Sequence, residues 1–182
     1  MRTLIDFFDK DITTSMLSVL TYKPEKVVYL YDKRLEKKAD VHHLFKGCQA
    51  HLPELCMEKY PVEASDIFAI EEILRKVILK EPDCSIDLTG GQELMLVAGY
   101  RLGVEYERPL WYVDMVKKQM VDLRSPGKEG LPLASLVLED YVFVSGAFLI
   151  GYSKGVPEKP QYQKALSMCR LVFSHIQEWK ET

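Results

Sequence analysis

The stretch Cys84-Ser85-Ile86-Asp87-Leu88-Thr89-Gly90-Gly91-Gln92-Glu93-Leu94-Met95 decides the fold of this chain. Cys84–Leu88 suits a short buried strand, and the apolar spacing that follows predicts a helix over Gln92–Leu102. Between them, two adjacent glycines let the backbone turn tightly and approach another group closely. A helix that begins there presents unpaired N–H groups and the positive end of its dipole, a place for a phosphate. The Thr89 hydroxyl can add one donor. The same turn would equally serve as a plain joint between strand and helix, and both readings stand at this point. It is neither the dinucleotide G-x-G-x-x-G pattern nor a Walker loop, since no Gly-Lys-Ser/Thr follows. A nicotinamide dehydrogenase and an ordinary NTPase are therefore disfavoured.

Outward from that turn, β-type runs alternate with helix-period segments. Upstream, Thr3–Phe8 predicts a strand, Thr13–Tyr22 a short helix, and Lys26–Tyr31 (KVVYLY) a strand rich in β-branched and aromatic residues. Leu35–Lys59 predicts helix interrupted near Gly47 or Pro53, and Tyr60–Ala64 a short strand. Ser65 or Asp66 can cap a helix with core face Ile67, Ile70, Leu74, Val77 and Ile78, which Pro82 ends. Downstream, Pro109–Val113 predicts a strand and Val116–Leu123 one more. This β-α-β-α order implies an α/β, Rossmann-like fold: a mainly parallel sheet with helices on both faces and right-handed crossovers. Composition shifts near Ser125-Pro126-Gly127, which divides the chain into 1–125, the Rossmann-like domain, and 126–182, a linker and C-terminal helical extension. In that extension Leu138–Phe148 and Pro160–Lys180 predict helices around a loop at Gly151–Pro160. The last helix is apolar on two sides, which suits either two neighbours or one wide groove.

The bulk numbers narrow the function classes. The chain has 182 residues, 47% hydrophobic and 28% charged, enough for one well-buried core plus an appendage. Its charge, 24 minus 27 or −3, gives no global pull toward nucleic acid or an anionic membrane. Asp6 and Asp9 break the first apolar stretch, and the longest apolar run, Val142–Tyr152, contains Ser145 and two glycines. No leader and no membrane span are expected, and the cytoplasm is the expected location. Cys48 and Cys56 lie near His42, His43 and His51, as a metal site would have them. However, Val41, Leu44, Phe45, Cys48, Leu52, Leu55 and Cys56 already form one helical stripe, so both thiols read as small buried hydrophobes. Neither a metal nor a cofactor is expected.

In an open parallel sheet, ligands bind outside the carboxyl ends of the strands where strand order reverses. That rule brings together Asp9–Thr14, Tyr31-Asp32, Ala64-Ser65, Thr89–Glu93 and Asp114. Of these, the first turn adds Lys10 and the hydroxyls of Thr13 and Thr14, suited to phosphate or ribose, although Asp11 or Thr13 would also suit a plain helix cap.

At these two turns the sequence resembles the CARF family, the CRISPR-associated Rossmann-fold ligand sensors of type III CRISPR systems. It is most similar to the branch whose sensor domain precedes a nuclease domain. The matching elements are the opening strand with its hydroxyl-bearing turn, KVVYLY after Lys23-Pro24, and the Ser65-Asp66-Ile67 helix entry. The Asp-Leu-Thr-Gly-Gly turn with Leu94-Met95, Trp111-Tyr112-Val113-Asp114 and Leu138-Glu139-Asp140-Tyr141 complete the match, over roughly the first 145 residues.

The resemblance implies a homodimer whose two-fold axis lies beside the site, and a cyclic oligoadenylate, most simply cyclic tetra-adenylate, as ligand. It implies that Thr89, Gly90 and Gly91 contact phosphate or ribose with Gln92 beside them, and that Lys10, Thr13 and Thr14 close the pocket. It further implies a regulatory role in antiviral defence over a nuclease effector that this chain lacks. Pro82-Asp83 and Glu178-Trp179-Lys180 lie outside one compact unit and are not assigned to a nuclease, and no direct DNA binding is expected. Where relatives carry Thr-Lys or Thr-Arg after the glycines, this chain has Gln92-Glu93; a carboxylate there suits the helix dipole but repels phosphate. Two alternatives follow. One is a slow, metal-independent ring nuclease with no separate catalytic residue assigned. The other is a nucleotide-binding or interaction domain with a different ligand.

Overall fold

The computed structural model describes residues 1–8, 12–35, 41–125, 127–137, 140 and 167. The chain divides into two compact units, Met1–Ser135 and Leu136–Thr182. The helices expected at 138–148 and 160–180, and the loop between them, fall outside the described residues apart from Asp140 and Ser167.

The first unit is a seven-stranded sheet in the order β3-β2-β1-β4-β5-β6-β7. Strands β1 (Thr3–Phe8), β2 (Lys26–Asp32) and β4 (Cys84–Asp87) are buried along their whole length, as the centre of a sheet covered on both faces requires. Strands β3 (Cys56–Val62) and β5 (Leu110–Asp114) extend the parallel part on either side. Strands β6 (Gln119–Asp122) and β7 (Leu131–Pro132) add antiparallel pairing at the far edge. This is the Rossmann-like α/β architecture expected from the alternation of elements.

Helices α1 (Ile12–Tyr22) and α2 (Val41–His51) pack on one face, α3 (Ile67–Lys80) and α4 (Glu93–Glu105) on the other. Alternation along the strands sorts the side chains between them. Ile5, Phe7, Val28, Leu30, Cys84, Ile86, Leu88 and Leu110 meet α3 and α4. Asp6, Ser85 and Trp111 meet α1 through Ser15 and Tyr22. Asp66 caps α3, its carboxylate accepting from the N–H groups of Phe68 and Ala69 at 3.0 and 3.2 Å.

Three expectations are corrected. The helix predicted to Lys59 stops at His51, and Cys56–Lys59 belong to β3, which runs to Val62 rather than from Tyr60 to Ala64. Strand β3 is an edge strand, half exposed and carrying Glu58, Lys59 and Pro61, so it shows none of the apolar alternation that marks a strand. Cys56 consequently lies exposed at its start; Cys48 is buried as expected. The strand expected over Val116–Leu123 shortens to Gln119–Asp122, because Asp114 caps a tight turn by accepting from the N–H groups of Val116 and Lys117.

Candidate functional site

Strands β1 and β4 lie side by side and parallel, with Asp6 opposite Asp87. From β1 the chain goes on to β2 on one side, and from β4 to β5 on the other. The loops after the two strands therefore part company, and the crevice between them is the switch point of the sheet. The Thr89-Gly90-Gly91 turn leads from β4 to the first turn of α4 along one flank. Thr13 and Thr14, half-buried in the first turn of α1, stand on the loop that leaves β1. Lys10 lies outside the described residues.

The turn is held from below. Asp87, 1% exposed, accepts from the Thr89 N–H at 2.9 Å and from the Thr89 hydroxyl. The same hydroxyl oxygen accepts from the Val113 N–H at 2.9 Å, and the Leu88 N–H donates to the Trp111 carbonyl at 2.8 Å. The Thr89 hydroxyl proton is thus engaged by Asp87, and what Thr89 contributes first is a fixed turn. Burial pushes the Asp87 carboxyl up, against the hydrogen bonds from Thr89 that pull it down. Asp6, equally buried, lies beside it on the same face, so two carboxyls share the floor beneath the turn.

Gly91 has φ +111°, and a Cβ there would come within 2.5 Å of the Phe7 Cβ. That position requires glycine for packing alone. Gly90 differs: a Cβ would meet only the Phe7 carbonyl oxygen, at an ordinary 3.5 Å. Gln92 is the N-cap of α4 in extended conformation, yet its side chain makes no cap bond. The first N–H groups of α4 are therefore left uncapped by that side chain, and Glu93 is exposed in the same turn.

The Gln92 amide instead reaches over the end of β1 to Asp32, the last residue of β2, its Nε2 donating to Oδ2 at 2.8 Å. Asp32 also receives Nε and Nη2 of Arg34 at 2.9 and 2.6 Å and the Arg34 main-chain N–H at 2.9 Å. The guanidinium holds the Asp32 carboxyl down at about 2, so it is ionised throughout the physiological range. Of the strand ends expected to converge, Asp32 and the Thr89–Gln92 turn are thus brought together. Asp114 serves its own turn, and Ser65 binds Glu63. Arg34 was not legible as a site residue; the only signal is the Asp32-Lys33-Arg34 run directly after a strongly predicted strand. Backbone N–H groups, a side-chain amide and a guanidinium are groups that hold an anion. Among the described residues no three His, Cys, Asp or Glu side chains cluster as metal ligands.

Comparison with solved structures gives the same architecture. The chain is similar to Can2 from Sulfobacillus thermosulfidooxidans, solved in complex with cyclic tetra-adenylate, at a TM-score of 0.68 and 19% identity over 80% of this chain and 41% of that one. The chain shares its Rossmann-like fold. It is also similar to Csm6 from Enterococcus italicus, bound to cyclic hexa-2'-fluoro-hexa-dAMP, at a TM-score of 0.56 and 15% identity over 86% of this chain and 40% of that one. A type III CRISPR defence DNA nuclease activated by cyclic oligoadenylate matches at 0.56 and 12% identity, over 78% of this chain and 23% of that one. The chain therefore spans less than half the length of these proteins. The sequence matches no protein-family model and no curated protein.

Proposed function

We propose that this chain is the sensor domain of a type III CRISPR defence protein, that it binds a cyclic oligoadenylate, most simply cyclic tetra-adenylate, and that it works as a homodimer in the cytoplasm. The observation that carries this reading is the position of the Thr89-Gly90-Gly91 turn. It lies at the switch point and leads into the start of α4, whose N-cap side chain makes no cap bond. That three proteins of this fold are named for cyclic oligoadenylates that they bind or are activated by supports the ligand class. Thr89, Gly90, Gly91 and Gln92 form one wall in this proposal, and Lys10, Thr13 and Thr14 the other. Residues 1–125 would be the sensing domain and 126–182 the linker and extension toward a nuclease effector; direct DNA binding is not assigned to this chain. No helix among the described residues is long and apolar enough to cross a membrane.

A two-fold partner is supported by α4 itself. Its outward face carries Val97, Tyr100 and Val104, each about half exposed, on the helix that begins at the site. A second copy would cover that stripe and present the same turn twice to a ligand built of repeated units.

Thermal unfolding with cyclic tetra-adenylate, cyclic hexa-adenylate and AMP tests the ligand class. A ring at about a hundred times its dissociation constant should stabilise by about 2.7 kcal/mol. No shift with either ring at large excess, or an equal shift with AMP, would overturn it. Sedimentation of Tyr100→Asp should show monomers where the unaltered chain gives dimers.

A further inference from the structure

Within the site so proposed, one of the protein's own side chains holds the groups suited to a phosphate. The Asp32 carboxylate is received by a guanidinium fork, a main-chain N–H and a side-chain amide. That is the donor set that also receives a phosphate. The donors come from the two strand ends flanking β1: Arg34 follows β2, and Gln92 begins α4 beyond β4. The clasp therefore runs across the crevice. Gln92 makes this bond in place of capping its own helix.

The partners are unequal in freedom. The Asp32 side chain is 3% exposed and fixed at the strand end, whereas 59% of the Arg34 side chain is in solvent. Arg34 can swing outward without disturbing the core; Asp32 cannot follow. Its neighbour Lys33 is paired with Glu63 at 2.6 Å, which leaves Arg34, among the described residues, as the cation directed at the clasp.

We propose that Arg34 and Gln92 are phosphate donors of the ligand site, and that Asp32 is a built-in competitor whose carboxylate an incoming phosphate must displace or share. This rests on the sensor reading for the identity of the ligand, but not for the chemistry of the clasp. Asp32 then sets the affinity: it holds both donors in place and charges every phosphate for their release.

The test compares the unaltered chain with Asp32→Asn and Arg34→Gln, using calorimetric titration with cyclic tetra-adenylate and, separately, with inorganic tripolyphosphate. Asparagine retains an oxygen to accept the Arg34 main-chain N–H, so the turn is kept while the charge goes; melting temperatures check that all three fold alike. Asp32→Asn should bind about threefold tighter or better, and Arg34→Gln about tenfold weaker, as loss of one charge-assisted bond implies. The proposal is overturned if Asp32→Asn weakens binding as Arg34→Gln does. It is equally overturned if the two variants match the unaltered chain, or if none of the three binds either probe. If the ring fails on all three while tripolyphosphate follows the expected order, the clasp stands and the cyclic oligoadenylate reading falls.

Discussion

The two ends of the sheet handle charge in opposite ways. At the amino end, buried Lys26 donates to Glu81 at 2.5 Å and to Glu58 at 2.8 Å. Thr3 adds a hydrogen bond to Glu81, and Lys80 and Tyr60 both donate to Glu58. Within this network each charge faces an opposite one. At the carboxyl end, two buried carboxyls lie side by side, the Asp87 Oδ2 finds no donor among the described residues, and Arg34, though paired with Asp32, keeps more than half of its side chain in solvent. A closed network holds strands together, while an open one keeps groups available to something else. Stability is invested at one end, and capacity to bind is left at the other.

Breaking the closed end should have the largest effect. Lys26→Met leaves Glu81 buried without its cation and should cost about 3 kcal/mol in urea unfolding. Ring affinity of the folded fraction should stay unchanged; a parallel loss of affinity would mean the two ends are not separable.

The glycine pair sharpens the contrast at the open end. Gly91→Ala meets both a positive φ and the Phe7 side chain, and should cost about 2 kcal/mol. Gly90→Ala meets neither and should stay within about 0.5 kcal/mol of the unaltered chain. If ligand approaches the turn closely, Gly90→Ala should nevertheless lose affinity. Retained affinity there would reduce the Gly-Gly turn to a joint between strand and helix.

The smallest effect concerns pH. Hydrogen bonds from Lys26 and Lys80 hold the Glu58 carboxyl down at about 2. A carboxyl depressed by folding contributes stability above its unfolded value, near the ordinary glutamate range, and loses it as pH falls toward 2. Glu58→Gln should therefore be less stable than the unaltered chain at pH 6, with the gap in urea midpoint closing between about pH 4.5 and 2. A gap that persists at pH 2 would assign the effect to packing rather than charge. Asp87 is pushed the other way by burial, so its contribution weakens as pH rises.

Much of this was legible in the residues because the central strands and their following turns carry strong local signals. KVVYLY and the strand–Thr-Gly-Gly–helix sequence each announce themselves, and topology then places the turn at the switch point. Only the end of strand β3 was legible, because an edge strand obeys solvent on one side, and its charges serve Lys26 and Lys80 rather than a core. The Asp32–Gln92 bond joins residues that only the strand order brings near, so no local pattern could foretell it. Asp6 did leave a trace, as an acid breaking an apolar strand; the structure shows that it faces Ser15 and stands beside Asp87.

Helix α4 packs closely on the side chains of the sheet, because Gly99 and Gly103 sit where any side chain would collide with the Phe7 ring and the Leu110 side chain. Interiors packed this tightly yield little to compression. The helix is consequently a stiff rod pinned at two points along its length. Its head enters from the glycine turn, and at its tail Glu105 and Tyr106 accept from Arg75 of α3. The helix that begins at the glycine turn thus ends tied to its neighbour α3.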